Sequence, residues 1–173
     1  MLTGERVTLR PVREDDLPTL YRWRVDLDSW AFTTPEPPYG LTYEAYADYK
    51  RSVAGKGPSV VELAAEVDGV LVGRATLFNF DDLARSCEIG LGFGPEHRGK
   101  GYGREVIRLL VDFAFRHRNV RRVHLTTLAT NEPALRCYRA AGFVEEGRRR
   151  ESAFADGAYV DEVLMSVLAS DGR

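Results

Sequence analysis

The chain is poor in the residues that announce special chemistry: of 173 residues, two are cysteine, two tryptophan, two methionine and three histidine. Cys87 and Cys137 have no partner at metal-ligand spacing, which argues against a disulfide scaffold or a zinc cluster and makes reduced thiols in a cytoplasmic protein the expectation. His97, His117 and His124 show no i, i+4 pair and no acidic companions, so no metal site is expected. Neither sign of charge dominates. Twenty-four Lys and Arg against 26 Asp and Glu leave a net charge of −2, which removes the long-range field of a dedicated nucleic-acid or anionic-membrane binder. Long apolar runs are missing too. The opening MLTGERVTLRPV places Glu5, Arg6 and Arg10 where a signal peptide needs an unbroken apolar stretch, and the most apolar segment, 106–115, is interrupted by Arg108 and Asp112. A soluble protein with no membrane and no nucleic-acid partner is expected.

What is present is ordinary globular composition, 44% apolar and 29% charged, with no repeat, no low-complexity tract and no break that would mark a linker. Residues 1–173 are therefore expected to form a single domain. Val7 and Leu9 alternate with Thr8 and Arg10 as a first strand ended by Pro11, and a helix follows the acidic run 14–16 to about Arg24. The stretch from Asp26 to Tyr39, with Thr33, Thr34 and three prolines, reads as a loop, and Glu44 to Val53 reads as a second helix after Thr42. Two apolar runs between Ser59 and Phe78 flank Asp68-Gly69, a dipeptide suited to a type I′ hairpin. Cys87 to Phe93 continues the sheet. In the helix after the next glycines, Arg104, Arg108, Asp112 and Arg116 form a polar row that leaves Val106, Ile107, Leu109, Leu110, Phe113 and Ala114 for the core. Val123, Leu125 and Thr127 make another strand, Asn131 caps a helix that Gly142 ends, and a last hairpin turns at Asp156-Gly157. The order β, α, α, β, β, β, α, β, α, β, β implies an α/β or α+β architecture.

Chemistry concentrates in Arg98-Gly99-Lys100-Gly101-Tyr102-Gly103, which follows a strand and opens a helix. Successive amides and the positive end of the helix dipole converge there on an anion site suited to a diphosphate. A Walker loop fails for want of Gly-Lys-Ser or Gly-Lys-Thr, and a Rossmann fingerprint fails because the segment is not in the first strand–helix unit. A tight strand-to-helix turn would also use these glycines.

Arg98-x-x-Gly101-x-Gly103, followed by Asn131, Tyr138 and Gly142-Phe143, resembles the two signature motifs of the GNAT superfamily of N-acetyltransferases. The opening Arg6-x-Thr8-Leu9-Arg10-Pro11 and the closing Gly157-x-Tyr159-x-Asp161 with Met165 resemble its RimJ/RimL-like branch, so the likeness spans nearly the whole chain. It implies a central mixed, mostly antiparallel sheet of about seven strands, splayed between the fourth and fifth, with about four flanking helices. It also implies acetyl-CoA as acetyl donor: Arg98, Gly99, Lys100, Gly101, Tyr102, Gly103 and Arg104 bind the pyrophosphate, and the edge Leu91, Gly92 and Phe93 pairs with the pantetheine arm. Backbone amides on that edge could polarise the thioester carbonyl. Asn131 is expected to contact the cofactor as well as cap its helix.

Tyr138 matches the family's general acid, and a phenol of pKa near 10 keeps its proton at pH 7. The acceptor amine must lose a proton before attack, and Glu88 stands where polyamine acetyltransferases also carry a glutamate, making it the candidate base. The reaction implied is direct transfer to a primary amine of a small molecule or a protein N-terminus. Cys137, without an adjacent histidine, is not expected to be a nucleophile. Residues 98 to 122 hold eight Lys or Arg and two acids, and the phosphates of coenzyme A are a sufficient partner for that excess.

The acceptor region of such proteins lies between the first two helices and the last hairpin. Trp23, Asp26, Asp28, Trp30, Phe32, Tyr39, Tyr43 and Tyr46 stand there, with Trp30, Phe32 and Tyr39 as the candidate substrate contacts for a cationic amine. Each also suits plain core packing. A catalytically silent acyl-CoA-binding regulator is the alternative from another class. Dimerisation is common in similar proteins, so a homodimer is compatible with the resemblance, yet no interface is legible in the sequence.

Overall fold

The computed structural model describes residues 1–33, 37–54 and 57–171, with the side chains of residues 31–33 left outside the description. Eight strands form one sheet: β1 (Leu2–Thr3), β2 (Thr8–Pro11), β3 (Val61–Val67), β4 (Val70–Asp81), β5 (Ser86–Phe93), β6 (Arg122–Leu128), β7 (Val144–Ala155) and β8 (Ala158–Leu168). Their order across the sheet is β1-β2-β3-β4-β5-β6-β8-β7, and every pairing is antiparallel except that of β5 with β6. Among the described residues five α-helices flank it: α1 (Leu17–Arg24), α2 (Leu27–Thr33), α3 (Tyr43–Ala54), α4 (Tyr102–His117) and α5 (Glu132–Ala140).

Two counts expected from the sequence need correction. The sheet has eight strands rather than seven because Leu2 and Thr3 fold back on Thr8 and Leu9 as a two-residue edge. There are five helices rather than four because the stretch read as a loop contains α2. Its first turn is held locally, the Ser29 hydroxyl donating to the Asp26 carboxylate and the Ser29 amide to the Asp26 carbonyl at 3.1 Å. Trp30 is buried, which adds an apolar anchor. Pro11 ends β2 as expected, at the strand's last position, opposite Leu63 of β3 and beyond the reach of β1.

Other expectations are met in detail. Asp68 and Gly69 have φ of 50° and 77°, and Asp156 and Gly157 have 50° and 77°, the left-handed pairs that a two-residue hairpin turn requires. Arg104, Arg108, Asp112 and Arg116 are all exposed on α4, while Val106, Ile107, Leu110, Val111 and Ala114 are fully buried. Val111 belongs to that core although the periodic reading passed over it, and Leu109 and Phe113 sit half-buried at its margin.

The two faces of the sheet differ. Toward α4 and α5 lies the main core, in which Leu9, Ala65, Ala75, Leu77, Ile89, Val123, Met165 and Val167 meet the apolar side of α4. Toward α1 and α3 lies a smaller cluster of Leu20, Trp23 and Tyr46 against Leu71. Strand alternation turns Glu62, Arg74, Thr76, Glu88 and Gly92 to this second side.

Candidate active site

β5 and β6 run parallel for three rungs only, Ser86 with Arg122, Cys87 with Val123 and Glu88 with His124. β5 then continues to Phe93 along β4 while β6 continues to Leu128 along β8. Each strand is held more firmly by its antiparallel neighbour, and the sheet opens into a fork whose closed end is Glu88 beside His124. The Gly94 amide donates to the Val72 carbonyl at 3.1 Å. Since amides alternate sides along a strand, those of Gly92 and Gly90 also face β4, and those of Leu91 and Phe93 face the fork. An extended chain entering the fork finds a ready edge there.

The glycine-rich turn lies at the mouth. Gly99 and Gly101 have φ of 73° and 83°, so the chain rises into α4 through conformations that a side chain resists. Gly101 is the N-cap and no side chain caps the helix, leaving the first-turn amides of α4 for a ligand. Gly103 is glycine for another reason: a Cβ there would stand 2.9 Å from the Cys137 Sγ, so it sets how closely α4 approaches α5. Lys100 and Arg104 are exposed beside the turn, and Tyr102 is half-buried beneath the Arg6 guanidinium, 5.2 Å above its ring. These features fit a pyrophosphate and a pantetheine arm: amides for phosphate oxygens, an open strand edge for amide groups.

Arg98 departs from the simplest expectation. Its Nε donates to the Phe93 carbonyl at 3.2 Å and its Nη2 to the Ser29 hydroxyl, so the guanidinium points to α2 rather than lying over the glycine turn. Asn131 does cap α5, its Oδ1 accepting from the Ala134 amide at 3.3 Å. Tyr138, on α5, is 7% exposed and packs 5.5 Å from the Phe143 ring; its hydroxyl has no protein hydrogen-bond partner among the described residues. Burial pushes its pKa above the ordinary phenol value, so it holds its proton at neutral pH and can donate it. Cys137 is raised by burial as well, and Cys87 to about 12, so neither is poised as a thiolate.

Glu88 is half-buried and lies on the face opposite α5; its Oε2 accepts from the Asn79 amide group at 3.0 Å. Tyr138 and Glu88 thus belong to opposite faces of the sheet, on either side of the opening. Of the candidate substrate contacts, Trp30 is buried under the Arg24 guanidinium, 3.9 Å from its ring, and meets the exposed Tyr39 edge-on at 5.7 Å. The Phe32 side chain lies outside the described residues.

Three residues take positions at the site that sequence reasoning did not assign them. Arg6 reaches the Lys100 carbonyl at 3.4 Å and steadies the glycine turn. Glu105 accepts from the Arg6 and Val7 amides at 2.9 and 3.1 Å, fixing β2 to α4. Arg74, from β4, lines a cleft beside Gly92. A lone arginine inside the apolar run 70–78 was the available sign of the last.

Comparison with known proteins agrees with this geometry. Residues 6–144 match the acetyltransferase (GNAT) domain family. The spermidine N(1)-acetyltransferase of Vibrio cholerae is 29% identical over 173 residues, covering 96% of this chain and 95% of that one. A crystal structure of the Vibrio cholerae spermidine N-acetyltransferase in complex with CoA and spermine superposes with a TM-score of 0.89 at 26% identity, over 97% of this chain and 98% of that one. A dodecameric structure of spermidine N-acetyltransferase from Vibrio cholerae, in an intermediate state, gives 0.82 at 26% identity, with 95% of each chain covered.

Proposed function

The chain belongs to the GNAT acetyltransferases and uses acetyl-CoA as acetyl donor, and from that premise we propose that it transfers acetyl directly to a primary amine of a small molecule, with Glu88 as base and Tyr138 as acid. The observation that carries this reading is the fork: a strand edge with free amides, an uncapped helix start at its mouth and a buried, protonated phenol on one side of it. Acetyl-CoA supplies an activated acetyl thioester. The amides of residues 99–104 hold its diphosphate, Leu91, Gly92 and Phe93 align the pantetheine arm, and the Leu91 amide polarises the thioester carbonyl. Asn131 adds a contact while capping α5.

Glu88 takes a proton from the acceptor ammonium, directly or through one water, and the freed amine nitrogen forms its bond to the acetyl carbon. As the carbon–sulfur bond breaks, Tyr138 hands its phenolic proton to the sulfur, and the second proton leaving the new amide nitrogen returns, directly or through water, to the tyrosinate. The thiol leaves neutral, and no acyl-enzyme forms. Raised thiol pKa values at both cysteines support this direct route. The free cysteines also support a reducing, cytoplasmic setting. The motifs at both ends of the chain favour the RimJ/RimL-like branch, and the dodecameric neighbour makes self-association a reasonable companion of the reading.

Acetyl-CoA-dependent thiol release is the test. Tyr138→Phe should lower kcat by roughly 100-fold or more with KM for acetyl-CoA little changed. Glu88→Gln should remove the acidic limb of the pH–rate profile. Full turnover in the first variant, or an unaltered profile in the second, takes away the corresponding role.

A further inference from the structure

On the α1 side of the sheet, between α1, α2 and the Gly92 end of β5, lies a cleft whose lining includes Leu20, Trp23, Arg24, Arg74 and Arg98. Three arginines line it, and no carboxylate is among the described lining residues. Among the described residues, Glu62 pairs with Lys50 and, at 3.8 Å, with Arg74, Glu96 accepts from the Trp23 indole N–H at 3.3 Å and lies 3.6 Å from Arg22, and Asp26 is held by Ser29. The cleft is therefore basic with an apolar wall. This inverts the charge expected of a pocket for a polycation, which would have to place ammonium groups against arginines.

The cleft and Glu88 share one face. Arg74 Nη1 lies 3.5 Å from Thr76 Oγ1, and Thr76 stands opposite Gly90, two residues from Glu88 along β5. Arg74 itself stands opposite Gly92, about 13 Å from Glu88 along the strand, and its guanidinium turns back toward Thr76, which leaves about 7 Å of strand between Thr76 and Glu88. That interval suits one small molecule with an amine at Glu88 and an anionic group at Arg74. Arginine binds a carboxylate through two parallel N–H donors, and Leu20 and Trp23 offer an apolar side chain its wall.

Resting on the acetyltransferase reading above, we infer that the acceptor is a carboxylate-bearing amine, an apolar α-amino acid or short peptide, whose carboxylate is held by Arg74 with Arg24 and Arg98 beside it. The test compares leucine, leucinamide and spermidine as acceptors for the full chain at saturating acetyl-CoA. It also measures binding of N-acetyl-leucine and N-acetylspermidine in the presence of CoA by calorimetry, which needs no turnover. Leucine should exceed both leucinamide and spermidine in kcat/KM by about tenfold or more, since removing the carboxylate forfeits its two parallel N–H···O bonds to arginine. Arg74→Met should raise KM for leucine by a similar factor while KM for acetyl-CoA stays put, and Arg74→Lys should restore part of the loss. Spermidine or leucinamide used as well as leucine overturns the inference and leaves the acetyltransferase reading standing. N-acetyl-leucine bound in an Arg74-dependent way without thiol release from any acceptor supports the cleft and removes the catalytic reading. Absence of Arg74-dependent binding overturns the inference regardless of turnover.

Discussion

The two faces of the sheet are built from different physics. Under α4 and α5 the core is hydrocarbon, with Leu9, Leu77, Ile107 and Leu110 entirely removed from solvent. Under α1 and α3 the cluster is small and charge is buried with it. Arg10 is 4% exposed and holds Asp16 through two bonds of 2.7 and 2.9 Å and Glu66 through one of 2.6 Å; Lys50 meets Glu62 near Arg74. Apolar burial is tolerant of direction, whereas buried ions stabilise only in a narrow geometry. The first face can therefore hold the fork and the glycine turn at a fixed shape, and the second carries positioned charge that can discriminate among ligands.

Truncation should separate the faces most sharply. Leu110→Ala is expected to cost about 4 kcal/mol, because α4 meets the sheet there without solvent, and Leu20→Ala about 2 kcal/mol in its smaller cluster. Urea unfolding of both variants measures the gap, and equal losses would erase the distinction. Next in size, Asp16→Ala should cost about 3 kcal/mol by leaving the buried Arg10 guanidinium with Glu66 as its one described counter-ion beside the Pro11 carbonyl. If that variant is as stable as its parent, the second face does not depend on its ion pairs.

The smallest effect is one of pH. Hydrogen bonds from Arg122, at 2.6 Å to each oxygen, and then from Ser166 hold the Glu146 carboxyl at about 2 against an ordinary 4.5. A folded pKa below the unfolded one means that the contribution is complete above 4.5 and is lost as pH falls toward 2. Glu146→Gln should flatten the stability curve between those values, as read by thermal unfolding across pH, and leave it unchanged at higher pH in slope.

Much of this was legible in the sequence where a local rule decides the outcome. Asp-Gly pairs dictated two hairpins, a four-residue polar row dictated which side of α4 faces water, and Asn131 announced the start of α5. The uncapped start of α4 behind Gly99 and Gly101 followed from glycines before a helix, and the fork came from the family resemblance and appears in the register. α2 was hidden because Thr33, Thr34 and the prolines beyond it read as coil, whereas the Ser29–Asp26 pair and the burial of Trp30 form the turn. The acceptor side was least legible. Which partner Arg98 or Arg74 reaches depends on how α1 and α2 pack over β4 and β5, and that is a tertiary outcome no spacing encodes. A reading of aromatic and acidic residues before the sheet suggested a home for a cation; of those residues Trp23 lines the cleft, beside Leu20 and three arginines that the reading did not place there.

The central claim is that the open edge of β5 serves the cofactor, and amide hydrogen exchange at Leu91 and Phe93, with and without CoA, tests it most directly. Both amides should exchange readily in the free chain and become protected when CoA binds, while the Gly92 amide, already facing β4, changes little. Tight CoA binding with no change at Leu91 or Phe93 would contradict the account.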